Sequence, residues 1–135
     1  MPPIPPPRRL VACAVALVVL VVLTGALFLL HRSDGGWATP LGSIEILDLL
    51  AVAIAMGIGG AVARQGFAPA AVGLVLLIGI TSSMAAYGGA PAVHGGALHW
   101  LLRNTALQLV LSAFVAWGAA VGGERFAATR RARSA

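Results

Sequence analysis

The side chains in this sequence that could carry chemistry are few: Asp34, Glu45, Asp48, Glu124, three histidines, Tyr87 and Cys13. Glu45 and Asp48 stand three apart, a spacing that puts both carboxylates on one face of a helix. An ionisable group inside an apolar span is costly and calls for a partner or a function. Glu45 lies near the end of its segment, where a helix N-terminus would stabilise it. Asp48 is deeper. Arg103 enters a later segment from the same side and at a matching depth, so Asp48 and Arg103 are expected to form a structural polar pair, each lifting the cost of the other. The alternative has Arg103 reaching back to the interface and Asp48 protonated, which would make Asp48 a proton or ligand site in its own right.

Shorter polar residues form a second pattern. Asn104, Gln108 and Ser112 recur every four positions beside Arg103 and Thr105, and an earlier segment carries Thr81, Ser82, Ser83 and Tyr87. Such a seam lines a pocket for a proton, ion or quinone, or simply joins helices by hydrogen bonds worth about 0.6 kcal/mol each. His31, His94 and His99 fall on one side of the chain, and imidazole ligates both metals and haem. His94 and His99, however, are five apart across Gly95-Gly96, which is not the spacing of a compact helical ligand pair. No metal site and no cofactor are expected; Asp48, Tyr87, His94 and His99 are the candidates if a quinone or haem is bound. With one cysteine, no disulfide framework can form within the chain. Phosphate-cradling loops, nucleophile elbows and HExxH are absent, so catalytic residues are not assigned and the chain reads as non-enzymatic.

The elements that must position these groups follow from composition. Of 135 residues, 59% are hydrophobic and 10% charged, where a soluble domain carries about 25% charge. At roughly 20 residues per bilayer crossing, the length allows four spans and no separate soluble domain. Residues 1–9 read as a Pro-rich, basic N-terminus, with MPPIPPP extended because proline lacks a donor and fixes φ. Spans are expected at about 10–30, 44–63, 70–88 and 98–122, within a bundle over 10–123. Thr39 and Pro40 read as a cap and first position leading into the second. Arg64-Gln65-Gly66 ends that span and GGAPAVHGG ends the third. Residues 124–135 read as a basic tail.

All nine basic residues are Arg, giving a net charge of +5. Arg8, Arg9, Arg64, Arg125, Arg130, Arg131 and Arg133 fall on one side of this arrangement and Arg32 and Arg103 on the other, which assigns the first side to the cytoplasm. The expected fold is therefore all-α: an integral membrane four-helix bundle, multi-pass in a bacterial inner membrane, with both termini cytoplasmic. Trp37 and Trp100 fall at the opposite interface, as aromatic anchors do. Arginines dispersed at segment ends exclude nucleic acid as a partner. The tail, with four Arg around Phe126, suits anionic lipid, and a homo-oligomer or a larger membrane complex stays open.

Small residues point to packing. Ala51, Ala55, Gly59 and Ala63 recur every four positions, and Gly118 and Gly122 repeat the spacing in the last span, so these are expected where helix backbones approach closely. The first span, rich in Leu and Val, is expected to lie toward lipid.

From Ile44 to about Trp117 the chain resembles the phosphate-starvation-inducible PsiE-like family of small four-helix bacterial membrane proteins. The resemblance rests on IEILDLL with Glu45 and Asp48, on Arg64 in ARQGFAP, and on LVLLIGIT at Leu74 to Thr81. Where family members place a further acid and an Arg, this chain reads AIAMGIGG and SSMAAY. The resemblance implies an accessory or stress-associated inner-membrane protein. Through FLLH at Phe28 to His31 and a second helix with an early acid and a later Arg, the chain is also similar to the DoxX-like family, which would imply a small subunit of a quinone- or haem-linked redox complex. A transporter or channel would need a continuous polar path, and Leu49 to Ala63 offers none.

Overall fold

The computed structural model describes residues 6–30, 37–40, 42–88 and 96–134. The chain forms α1 (Pro6–Leu29), a short antiparallel ribbon of β1 (Trp37–Thr39) and β2 (Gly42–Ile44), α2 (Ile46–Ala63), α3 (Ala68–Gly88), α4 (Gly96–Asn104) and α5 (Ala106–Ser134). Four of these helices are long and apolar enough to cross a membrane by length and composition. Large hydrophobic side chains are exposed on each of the four, among them Val18, Val22, Ile54, Leu77 and Phe114.

The long helices alternate in direction. α2 and α5 run parallel as a central pair with the most extensive contact in the bundle, α1 lies on α2, α3 lies on α5, and α1 and α3 scarcely touch. The end holding Asp48 and Gln108 is here termed upper; α1 starts and α5 finishes at the lower end. The lower half is closely packed. Phe67, fully buried, lies against Gly59, and Ala12, Ala16, Met56, Ala63, Ala68 and Ala71 complete this part of the core.

The α2–α5 seam depends on missing side chains. A Cβ on Gly60 would strike the carbonyl oxygen of Ala120, one on Gly123 would strike that of Gly57, and one on Gly57 would touch Ala119 O at 3.7 Å. Ala51, Ala55, Gly59 and Ala63 are buried as their spacing suggests, but Gly59 serves α1, since its Cβ would come within 2.9 Å of Ala16 Cβ. Gly118 and Gly122 do not pack: a Cβ on either meets nothing within 4 Å. The face of α5 turned inward is the one bearing Ser112, Ala116 and Ala120.

Several boundaries differ from those the sequence suggests. Thr39 belongs to a strand and Pro40 to the turn, so α2 begins at Ile46 and Asp48 lies in its first turn rather than two turns deep. Thr39-Pro40-Leu41-Gly42 places Pro second and Gly fourth, a turn signature that competes with the helix-start reading. α2 ends at Ala63 as expected, with Arg64 left-handed at φ 75° and its N–H donating to Gly60 O at 2.9 Å. The last segment is two helices, divided at Thr105, whose carbonyl accepts the first bond of α5 from Leu109 N–H at 3.0 Å. Asn and Thr favour such positions because their side chains compete for the backbone. Residues 124–134 of the basic tail continue α5 as helix, being mostly Ala, Arg and Glu with no breaker among them. Pro6 and Pro7 occupy the first turn of α1, where a missing N–H costs nothing.

Candidate functional site

The upper half of the bundle holds an open cavity of about 660 Å³, lined by residues of α1, α2, α3 and α5. Its floor and walls are apolar: Leu20 and Val21 of α1, Val52 of α2, Val75 and Ile78 of α3 and Leu109 of α5. Polar groups also line it: Glu45 and Asp48 at the start of α2, Ser82 and Ser83 of α3, Asn104, Thr105 and Gln108 where α5 begins, and Ser112 one turn deeper. Thr24 and Gly25 border it on α1, and a Cβ on Gly25 would meet nothing within 4 Å.

Gln108 organises the upper end of this lining. Its side-chain oxygen accepts from the Glu45 N–H at 3.2 Å, and its amide group lies 3.5 Å from both the Glu45 carbonyl and Asp48 Oδ2. One glutamine of α5 thereby braces the start of α2, where backbone N–H groups lack partners within the helix. Asp48 is half-buried and faces Gln108, not Arg103, which is exposed near the end of α4; among the described residues the two form no ion pair. The expected pair fails because α2 starts later than the sequence suggests and α4 breaks away from α5, separating the depths that were to match. Glu45 is exposed, and its carboxylate does not cap α2.

The polar seam is largely assembled. Ser82, Ser83, Asn104, Gln108 and Ser112 share the cavity, whereas Thr81 turns outward and donates to Leu77 O at 2.7 Å. Of the ligand candidates among the described residues, Asp48 alone lines the cavity. Tyr87 is half-buried and His99 is exposed on α4, both away from its lining, and His94 and His31 lie outside the described residues. No group of three or more His, Cys, Asp or Glu that could hold a metal ion occurs among the described residues. Cys13 is half-buried against the lower core.

At the lower end, Glu124 plays a part that the sequence reading missed. Its carboxylate accepts from the Phe67 N–H at 2.7 Å in a partly buried setting, at the start of α3. A carboxylate there is favoured by the partial positive charge of a helix N-terminus. A single acid ahead of four arginines, within reach of the N-terminus of α3, was the available signal. Further along α5, the Arg130 guanidinium sits over the Phe126 ring at 4.8 Å. No protein-family model, curated protein or solved structure matches this chain.

Proposed function

We propose that this chain is a non-enzymatic, multi-pass protein of a bacterial inner membrane whose upper-half cavity takes up an amphiphilic molecule from the surrounding lipid. The observation that carries the reading is the cavity itself, which is open, mostly apolar and bordered by polar groups at its upper end, with α1 and α3 in little contact beside it. Pockets that hold small molecules share this division between apolar walls and a few converging polar groups. Exposed apolar side chains on four helices support immersion in lipid. Arg64, Arg125, Arg130, Arg131 and Arg133 collect at the lower end, which favours a cytoplasmic placement of both termini and an outer-leaflet placement of the cavity. The basic end of α5 would then lie against anionic headgroups. Resemblance to the PsiE-like family adds an accessory, stress-associated role.

A quinone is also an amphiphile, and the hydroxyl and amide groups of Ser82, Ser112 and Gln108 favour it as a second reading, that of a redox subunit; an absorbance spectrum of the purified protein separates the two. The amphiphile reading is tested by native mass spectrometry of protein extracted in mild detergent, comparing wild type with Gly25→Leu, which extends a side chain from the cavity border into open space. Wild type should retain a non-covalent amphiphile that the variant loses. A bare wild type, or equal retention by both, would refute the reading.

A further inference from the structure

We infer that the amphiphile is a cation, a lipophilic amine or quaternary ammonium whose charged head sits by Glu45 and Asp48 while its hydrocarbon part covers Leu20, Val52 and Ile78. The inference rests on the cavity reading above and adds the chemical class of the ligand. Charge is the first argument. Two carboxylates border the cavity and no Arg lies among its described lining residues, although the chain as a whole carries +5. Helix dipoles do not offset this: α2 and α5 start at this end while α1 and α3 finish here, so two partial positive ends meet two partial negative ends.

Among the described residues the carboxylates have no close side-chain partner. Glu45 makes no side-chain cap to α2, and Asp48 has only the long 3.5 Å approach of the Gln108 amide. Glu124 at the opposite end is the contrast, closed onto a backbone N–H at 2.7 Å.

Two hydroxyls supply an independent argument. Ser112 is 5% exposed and Ser83 9%, both line the cavity, and neither hydroxyl bonds any described residue. Helical hydroxyls ordinarily return to the carbonyl one turn back, as Thr81 does. Neither hydroxyl oxygen is sealed from the cavity, so both are open to whatever occupies it. Among the described lining residues an anionic head would find no cation, and a neutral one would leave both carboxylates without a counter-charge.

The test uses the full chain in nanodiscs of neutral lipid and three diazirine probes of identical acyl chain bearing a quaternary ammonium, a hydroxyl or a sulfate head. Labelled peptides spanning 75–83 and 105–112 are quantified. At equal concentration the ammonium probe should label these peptides roughly five- to thirtyfold more than the hydroxyl probe, the ratio given by one or two kcal/mol of charge pairing. Glu45→Gln with Asp48→Asn should equalise the two probes while hydroxyl labelling persists; should the double variant not fold, Glu45→Gln alone, at an exposed position, must still reduce the ratio. Equal labelling by hydroxyl or sulfate overturns the cationic class and leaves the cavity reading intact. Absence of all labelling from these peptides overturns the cavity reading itself.

Discussion

Five glycines in or near the α2–α5 seam should respond with opposite signs to the same substitution. In Gly60→Ala the new methyl meets the Ala120 carbonyl oxygen, and in Gly123→Ala it meets that of Gly57. Both obstacles are backbone, so no rotamer change relieves them and the helices must part. Overpacking of this kind costs about 1–3 kcal/mol, against a gain of roughly 0.5–1 kcal/mol from replacing Gly inside a helix. The balance is a loss of about 0–2.5 kcal/mol, toward the upper end where backbone meets backbone. Gly118→Ala and Gly122→Ala meet nothing within 4 Å and keep only the gain, while Gly57→Ala, with 3.7 Å to Ala119 O, should be close to neutral. The half-buried Cys13 provides the assay, because a maleimide dye that fluoresces on reaction reports its exposure as the detergent-solubilised protein is heated. Gly60→Ala and Gly123→Ala should melt several degrees below wild type and Gly118→Ala and Gly122→Ala slightly above it. A common shift for all five, or a larger loss for Gly118→Ala than for Gly60→Ala, would refute the seam.

Gln108→Leu removes the brace on α2, an exposed hydrogen bond to the Glu45 N–H, so it should cost about 0.5–1.5 kcal/mol by the same melt, and adding Asp48→Asn should cost less than the two changes apart; strictly additive losses would show that the two side chains do not interact. Glu124→Ala should lose about 1–3 kcal/mol through the freed Phe67 N–H, while Glu124→Gln, which keeps an acceptor oxygen, should lose less; equal losses would contradict the capping role. With Cys13 replaced by Ser, cysteines introduced at Gln65 and Ser134 should resist an impermeant thiol reagent in intact cells while one at His99 reacts, and the reverse pattern would invert the bundle in the membrane.

The long apolar runs were legible because span length and the scarcity of charge leave few alternatives for Leu10 to Leu30 or Leu49 to Ala63. The stops at Arg64-Gln65-Gly66 were legible for the same local reason, a cluster that cannot continue a helix. What escaped was whatever depends on a neighbour. Gly118 and Gly122 have the same spacing as Gly59 and Ala63, yet only the rotation of α5 against α2 decides which small residues face inward. Thr39-Pro40 supports a helix start and a turn equally, and the ribbon decides between them. The Asp48–Arg103 expectation failed with that boundary, since it was built on depth along the helix. Asn104, Gln108 and Ser112 could be grouped by four-residue spacing, but the cavity that they border with Ser82 and Ser83 depends on how α1, α2, α3 and α5 pack, which no local pattern encodes.

The central claim is that the bundle is closed below and open above, with the change falling within one turn of α5. Ser112 and Ala116 stand one turn apart on the same inward face, 5% and 0% exposed, the first bordering the cavity and the second within the packed core. The measurement is the rate at which a small maleimide modifies Ser112→Cys and Ala116→Cys in nanodiscs, on a Cys13→Ser background, with and without a long-chain quaternary ammonium. Cys at 112 should react and be protected by the amphiphile, and Cys at 116 should be inert. Equal reactivity at the two positions, or reaction at 112 that the amphiphile leaves unchanged, would contradict the account.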